Sequence, residues 1–160
     1  MKTLIIYYSA QGHTKSIAEE VAKNLQADLF EITPKDIYTE DDLNWMDDNA
    51  RCTREHDSPE LRDIELSSTS APNWTEYDRI IIGYPIWWGI SAWPVNSFIK
   101  LQDFTNKTVI PFCTSHSSGL GNSDKELQKN ANGGEWQKGY RFYQDATPET
   151  IKSWTDSIKE

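Results

Sequence analysis

Apolar residues along the chain alternate between two rhythms, short dense runs and stripes at helical spacing, with polar segments between them. The first run is Leu4, Ile5, Ile6, Tyr7 and Tyr8, rich in residues that favour a strand. It breaks off at Ser9 to Thr14, and a helical stripe begins at once. Ile17, Ala18, Val21, Ala22 and Leu25 share one face, with Lys15, Glu19, Glu20 and Lys23 on the other. Asp28 to Ile32 alternates over a short span and reads as an edge strand that stops before Pro34.

Residues 33 to 75 have the weakest pattern. Thr39 to Asp42 resembles a capping box, and Leu43, Met46 and Ala50 predict a helix reaching about residue 56. Pro59, the Ser67 to Ser70 cluster and Pro72 then predict loop. The pairs Asp41-Asp42 and Asp47-Asp48 read as helix-start or solvated residues, because nothing near them in sequence supplies the outer partners a metal site needs.

Asp78 to Tyr84 has a solid apolar centre, as expected of a central parallel strand covered on both faces. A loop, Pro85 to Ser91, is expected next. Trp93-Pro94 opens a helix with Val95, Phe98 and Ile99 on one side. Lys107 to Cys113 is the following strand, and Thr114 to Ser123 a polar, glycine-containing loop. A polar helix from Asp124 to Asn132 is closed by Gly133-Gly134. Residues 135 to 143 predict the last strand, around Gly139, and Thr147-Pro148 caps a final helix that turns Ile151, Trp154 and Ile158 inward.

Strands alternating with helices imply one α/β domain over residues 1 to 160, a doubly wound three-layer α-β-α sandwich on a parallel sheet with right-handed crossovers. Ligands of such sheets sit outside the carboxyl ends of the strands, where strand order reverses. Three segments fall at that edge: 9 to 14, 85 to 91 and 114 to 121. The first joins a strand to a helix and can present amides, the helix dipole and the Ser9 and Thr14 hydroxyls to a phosphate. Taken alone it is equally an ordinary helix N-cap. The second, Pro85-Ile86-Trp87-Trp88-Gly89, offers flat apolar surface suited to a large aromatic ring. The third offers hydroxyls and backbone groups for the polar rim of that ring. Together they describe a nucleotide-like cofactor.

Charge narrows the partners. The net charge of −9 at 160 residues disfavours nucleic acid and anionic membranes. It is compatible with a merely solvated surface or with an acidic face for basic partners. Cys52 and Cys113 lie far apart with no metal-binding spacing and read as reduced thiols. The N-terminus runs directly into a strand, without the basic and apolar regions of a secretion signal, and no apolar run is long enough to span a membrane. A cytoplasmic location is therefore expected. The sequons at Asn73 and Asn106 are read as chance matches on that basis.

Tyr8-Ser-Ala-Gln-Gly-His-Thr14, Gly83-Tyr-Pro-Ile-Trp-Trp-Gly89 and Thr114-Ser-His-Ser-Ser-Gly119 resemble the three flavin-binding loops of the flavodoxin family, in its short-chain branch. The likeness extends over nearly the whole chain. It implies FMN, redox chemistry and a five-stranded parallel sheet in the order 2-1-3-4-5. Carried over by position, Ser9, Gln11, Gly12, His13 and Thr14 bind the phosphate. Pro85, Ile86, Trp87, Trp88 and Gly89 flank the isoalloxazine, and Thr114, Ser115, His116, Ser118 and Gly119 contact its other edge. Gln11 stands where the family usually has Thr, and His13 where it often has Asn or Arg; both remain hydrogen-bonding residues. His116 stands where many relatives carry a small residue, and can meet the flavin rim, a substrate or only solvent.

The acidic surface and aromatic cover disfavour negative charge on the reduced cofactor, which suits a low-potential electron carrier working with redox partner proteins or a small-molecule electron acceptor. An NAD(P)H-dependent quinone or azo-dye reductase is the alternative, and a flavin-free binding module a second one. A phosphoacceptor regulator is excluded because Gly83-Tyr84 and Tyr8-Ser9 stand where it needs acidic residues. A low-molecular-weight phosphatase is excluded because the first loop lacks Cys and Arg. Neither a GxSxG elbow nor a GxGxxG fingerprint occurs.

Overall fold

A computed structural model of the protein describes residues 1 to 159. Five helices flank one sheet. In chain order the elements begin β1 (Thr3–Tyr7), α1 (His13–Leu25), β2 (Asp28–Glu31), α2 (Arg51–Asp57) and β3 (Arg79–Trp87). They continue as β4 (Ile90–Ser91), α3 (Trp93–Ile99), β5 (Thr108–Ser115), α4 (Ser123–Asn130), β6 (Glu135–Trp136), β7 (Tyr140–Tyr143) and α5 (Pro148–Ser157). Short 3-10 turns lie at Pro59–Leu61 and Trp74–Glu76.

The central path runs β2-β1-β3-β5-β6, with β7 also paired to β5 and β4 to β3. All pairings on this path are parallel, as is that of β7 with β5. The expected five positions in the order 2-1-3-4-5 are thus present, but the sheet has seven strands. One addition is β4, which folds back antiparallel on β3. The other arises because the fifth position is split.

The split has a local cause. Val109 pairs with Trp136 and Phe112 with Tyr140, so two residues on β5 oppose three on its neighbour, Gln137 to Gly139. The carbonyls of Lys107, Val109 and Ser115 accept from the amides of Glu135, Gln137 and Gln144, so odd-numbered residues of β5 face that neighbour. Pro111 belongs to this set and has no N–H to offer. The ladder bulges where the donor is missing.

Alternate side chains divide the core as strand geometry requires. Leu4, Ile6, Ile80, Ile82, Val109 and Cys113 point to one face and pack with Val95, Phe98 and Ile99 of α3 and Leu127 of α4. Ile5, Tyr7, Ile81, Ile110 and Phe112 point to the other and pack with Ile17, Ala18 and Val21 of α1 and Ile151 and Trp154 of α5. The Thr147 hydroxyl accepts the Thr150 amide and caps α5.

The predicted helix over residues 39 to 56 is shorter than the pattern implies, beginning only at Arg51. The capping-box bonds exist: the Thr39 amide donates to Asp42 Oδ2 at 3.0 Å and the Asp42 amide to Thr39 Oγ1 at 3.1 Å. They close a single turn. Asn44 and Asp47 side chains then accept the amides of Met46 and Asn49, local bonds that compete with a continuing helix.

Candidate functional site

The three predicted segments converge at the carboxyl ends of β1, β3 and β5, around a cavity of about 570 Å³. The first segment is fixed by the Tyr8 amide, which donates to Gly83 O at 3.1 Å. Gly12 then turns the chain into α1 at φ 93, with no side chain capping the helix. Its own amide donates to Ser9 Oγ at 3.0 Å. The first intrahelical bond belongs to Ser16. The amides of His13 and Thr14 therefore have no backbone partner among the described residues, beside the cavity that both residues line. Thr14 Oγ1 meets Thr114 Oγ1 at 2.8 Å in the interior, tying the first segment to the third.

The second segment corrects the sequence expectation. Pro85, Ile86 and Trp87 are not loop; they are the end of β3, and β4 pairs back through Ile86 with Ser91 and Trp87 with Ile90. The connection is the two-residue turn Trp88-Gly89, both at positive φ, 48 and 83, the backbone of a tight hairpin. This turn projects the two tryptophans differently. Trp87 packs edge-on against Tyr8, Tyr38 and Trp93, at ring distances of 5.8, 5.2 and 5.4 Å. Trp88, 39 % exposed, stacks on His56 at 4.4 Å and 7°.

In the third segment Thr114 and Ser115 are likewise strand, the last residues of β5. The Ser115 hydroxyl accepts from Arg141 Nε at 2.8 Å and donates to Ser118 O, closing a tight turn over residues 116 to 118, which line the cavity.

Of the fifteen site residues read from the sequence, Ser9, Gln11, His13, Thr14, Pro85, Ile86, Trp87, Trp88, Thr114, Ser115, His116 and Ser118 line the cavity. Gly12, Gly89 and Gly119 do not line it; the first two turn the backbone beside it. Sequence reasoning missed Leu43, Trp45, Cys52 and Gln144 as lining residues, and named Ala10 and Ser117 only as parts of their loops. Trp45 carried a usable signal: a lone tryptophan in an irregular acidic stretch, which stands 64 % exposed.

The wall is electrically distinctive. Among the described residues no Asp or Glu lines the cavity, although the chain carries a net charge of −9. Burial raises the Cys52 thiol above its ordinary value and pushes the Tyr8 hydroxyl well above its own, so both stay neutral. Behind Trp87, Tyr38 donates to Glu55 Oε1 at 2.6 Å, and Arg51 Nε pairs with Glu55 Oε2 at 3.1 Å. Burial and the Glu55 bond both hold Tyr38 protonated.

These donors fit a phosphomonoester: neutral hydroxyls and unpaired amides at a helix N-terminus, no carboxylate, and open space over Gly12 where a Cβ would stand. The tryptophan walls fit a planar ring. Among the described residues no cluster of His, Cys, Asp and Glu could hold a metal. No helix among them is long and apolar enough to cross a membrane.

Fold and site together define a doubly wound α/β protein with a cleft, lined by hydroxyls and tryptophans, at the carboxyl ends of its central strands. Residues 2–158 match the family profile described as Flavodoxin. The chain belongs to the flavodoxin family.

Among solved structures, a candidate flavoprotein from Bacteroides uniformis is 42% identical, with a TM-score of 0.88, covering 99% of this chain and 98% of its own. A second candidate flavoprotein, from Bacteroides eggerthii, is 34% identical at a TM-score of 0.87, with the same coverage of 99% and 98%. A Lactobacillus acidophilus flavoprotein in complex with FMN shares the fold at 24% identity and a TM-score of 0.67, covering 96% of this chain and 98% of its own. No curated protein matches the sequence.

Proposed function

We propose that the protein is an FMN-binding electron-transfer flavoprotein. The observation that carries this reading is the carboxylate-free cleft, with neutral phosphate donors at one end and tryptophan walls at the other. Its volume of about 570 Å³ lies within the range for one small-molecule ligand. When bound, FMN supplies electron transfer in one- or two-electron steps. The chain supplies the binding and the surroundings. Ser9, Gln11, His13 and Thr14, with the α1 amides, hold the phosphate. Trp87, Trp88 and Trp45 cover the ring and keep water from it, and Thr114, Ser115, His116 and Ser118 meet its polar rim.

Charge placement supports protein partners. Asp36 to Glu65 contains eleven acidic and three basic residues, −8 of the net −9. Leu43, Trp45 and Cys52 on that same segment line the cleft. A redox partner with a basic face is steered to the cofactor's side of the molecule.

Titrating the purified protein with FMN and following quenching of flavin fluorescence tests this reading. Ser9→Ala and Thr14→Ala are each expected to weaken binding about tenfold, equivalent to about 1.4 kcal/mol. Unchanged affinity in both variants overturns the phosphate assignment, and no binding by the wild type leaves a flavin-free module. Rapid NADPH turnover with a quinone, in the absence of a partner reductase, replaces the carrier with a reductase.

A further inference from the structure

Arg141 is a half-buried guanidinium behind the cleft wall, in no ion pair among the described residues. It stands on β7 opposite Cys113 of β5. Its Nε donates to Ser115 Oγ at 2.8 Å, directly behind a residue of the cavity wall. Its guanidinium lies over the Tyr143 ring, 3.5 Å from the centroid. Its Nη2 is buried and has no hydrogen-bond partner among the described residues. Among the described residues no carboxylate comes within ion-pair distance of it. Asp124, the buried carboxylate on α4, accepts the amides of Lys125 and Gly139 at 2.9 Å instead. Burial pushes the Cys113 thiol up; the Arg141 charge pulls it down, and Asp124 adds to the upward push.

A buried donor left unpaired beside a ligand cleft requires an explanation. We propose that Arg141 is the electrostatic partner of reduced FMN, held behind Ser115 to stabilise the negative charge that reduction places on the ring. The inference rests on FMN occupying the cleft with its polar rim toward Thr114 to Gly119. Two electrons and one proton, taken from a reducing partner protein or from dithionite, leave the neutral oxidised ring with one negative charge. The guanidinium faces that charge across Ser115. It has no comparable effect on the oxidised ring, so it shifts the balance toward the reduced form. The surface carboxylates oppose it through water and are screened over a Debye length, whereas the guanidinium acts over a short path through the buried Ser115. Arg141 thereby raises the potential that the acidic surface lowers.

Affinities for oxidised and reduced FMN, obtained from the two-electron midpoints of bound and free FMN in a dithionite titration against a reference dye, test this. Arg141→Gln and Arg141→Met are expected to lower the ratio of reduced to oxidised affinity at least tenfold, which lowers the midpoint by about 30 mV. Their affinity for oxidised FMN stays within threefold of wild type. Arg141→Lys, which keeps the charge, retains the wild-type ratio within threefold, an outcome a purely structural role does not produce. Using two neutral variants keeps the test usable if one fails to fold. An unchanged ratio in the neutral variants overturns this inference alone. Failure of the wild type to bind FMN in either redox state overturns the FMN reading, and this inference with it.

Discussion

Gly83 sits on β3 where the strand passes the Phe112 ring, which is fully buried on β5. A Cβ there would come within 2.8 Å of Phe112 Cε2, closer than real side-chain contacts allow. The ring cannot yield, because it packs edge-on against Phe142 and Trp154 at 5.6 and 5.7 Å. Gly83→Ala is therefore expected to cost about 1–3 kcal/mol through overpacking. Urea unfolding checks this as a lower midpoint with an unchanged slope. At this scale much of the cleft was legible. Ser9, Gln11, His13 and Thr14 follow a strand and precede an amphipathic helix, and that junction places them by chain geometry alone. Trp45 and Gln144 were not legible, because they reach the cleft from segments whose path depends on tertiary contacts. Arg141 was hidden for a different reason: nothing in a strand sequence says that its cation lacks a partner.

Among the elements, the hairpin at Trp88-Gly89 departs most from its expected form. Such turns usually place Asn or Asp before Gly, and here a tryptophan occupies the left-handed position, so the sequence carries no ordinary turn signal. Stacking of Trp88 on His56 and Trp93 holds the ring in place. Gly89, at φ 83, has nothing within 4 Å of where a Cβ would stand. Gly89→Ala consequently tests backbone strain without a steric clash, and is expected to cost about 1–2 kcal/mol. A fall of that size in thermal or urea stability checks it, and a neutral result excludes the left-handed turn. The helix that starts at Arg51 rather than near Thr39 was obscured by side-chain-to-amide bonds, which sequence spacing does not weigh against helical ones. The split fifth strand was foreshadowed only by Gly139; its cause, Pro111, lies on the neighbouring strand.

Across the whole molecule, alternating hydrophobic rhythms were sufficient to predict the layers, because each strand's period-two faces and each helix's stripe are local properties that the sheet preserves. Stability at alkaline pH is a property of the same interior. Burial pushes the Cys113 thiol from 9.0 up to about 12, and the Tyr7 hydroxyl from 10.0 up to about 12, with Glu31 and Glu19 adding to the Tyr7 shift. Both groups are neutral when protonated and bind their protons more tightly in the folded state. The stability they contribute is complete below about pH 9 and is lost as pH rises from there toward 12. Circular dichroism melts between pH 8 and 11.5 are expected to show a falling midpoint that begins above pH 9, and a midpoint constant to pH 11 contradicts it.

The distribution of tryptophans has an optical consequence. Trp45, Trp87 and Trp88 line the cleft and Trp93 touches two of them, while Trp74, Trp136 and Trp154 belong to packing elsewhere. Ultraviolet emission from the protein is thus divided between a group in contact with whatever enters the cleft and a group removed from it. A ligand that absorbs in the near ultraviolet and blue dims the first group most strongly. The residual emission then comes from the second, and the molecule reports its own occupancy without a label.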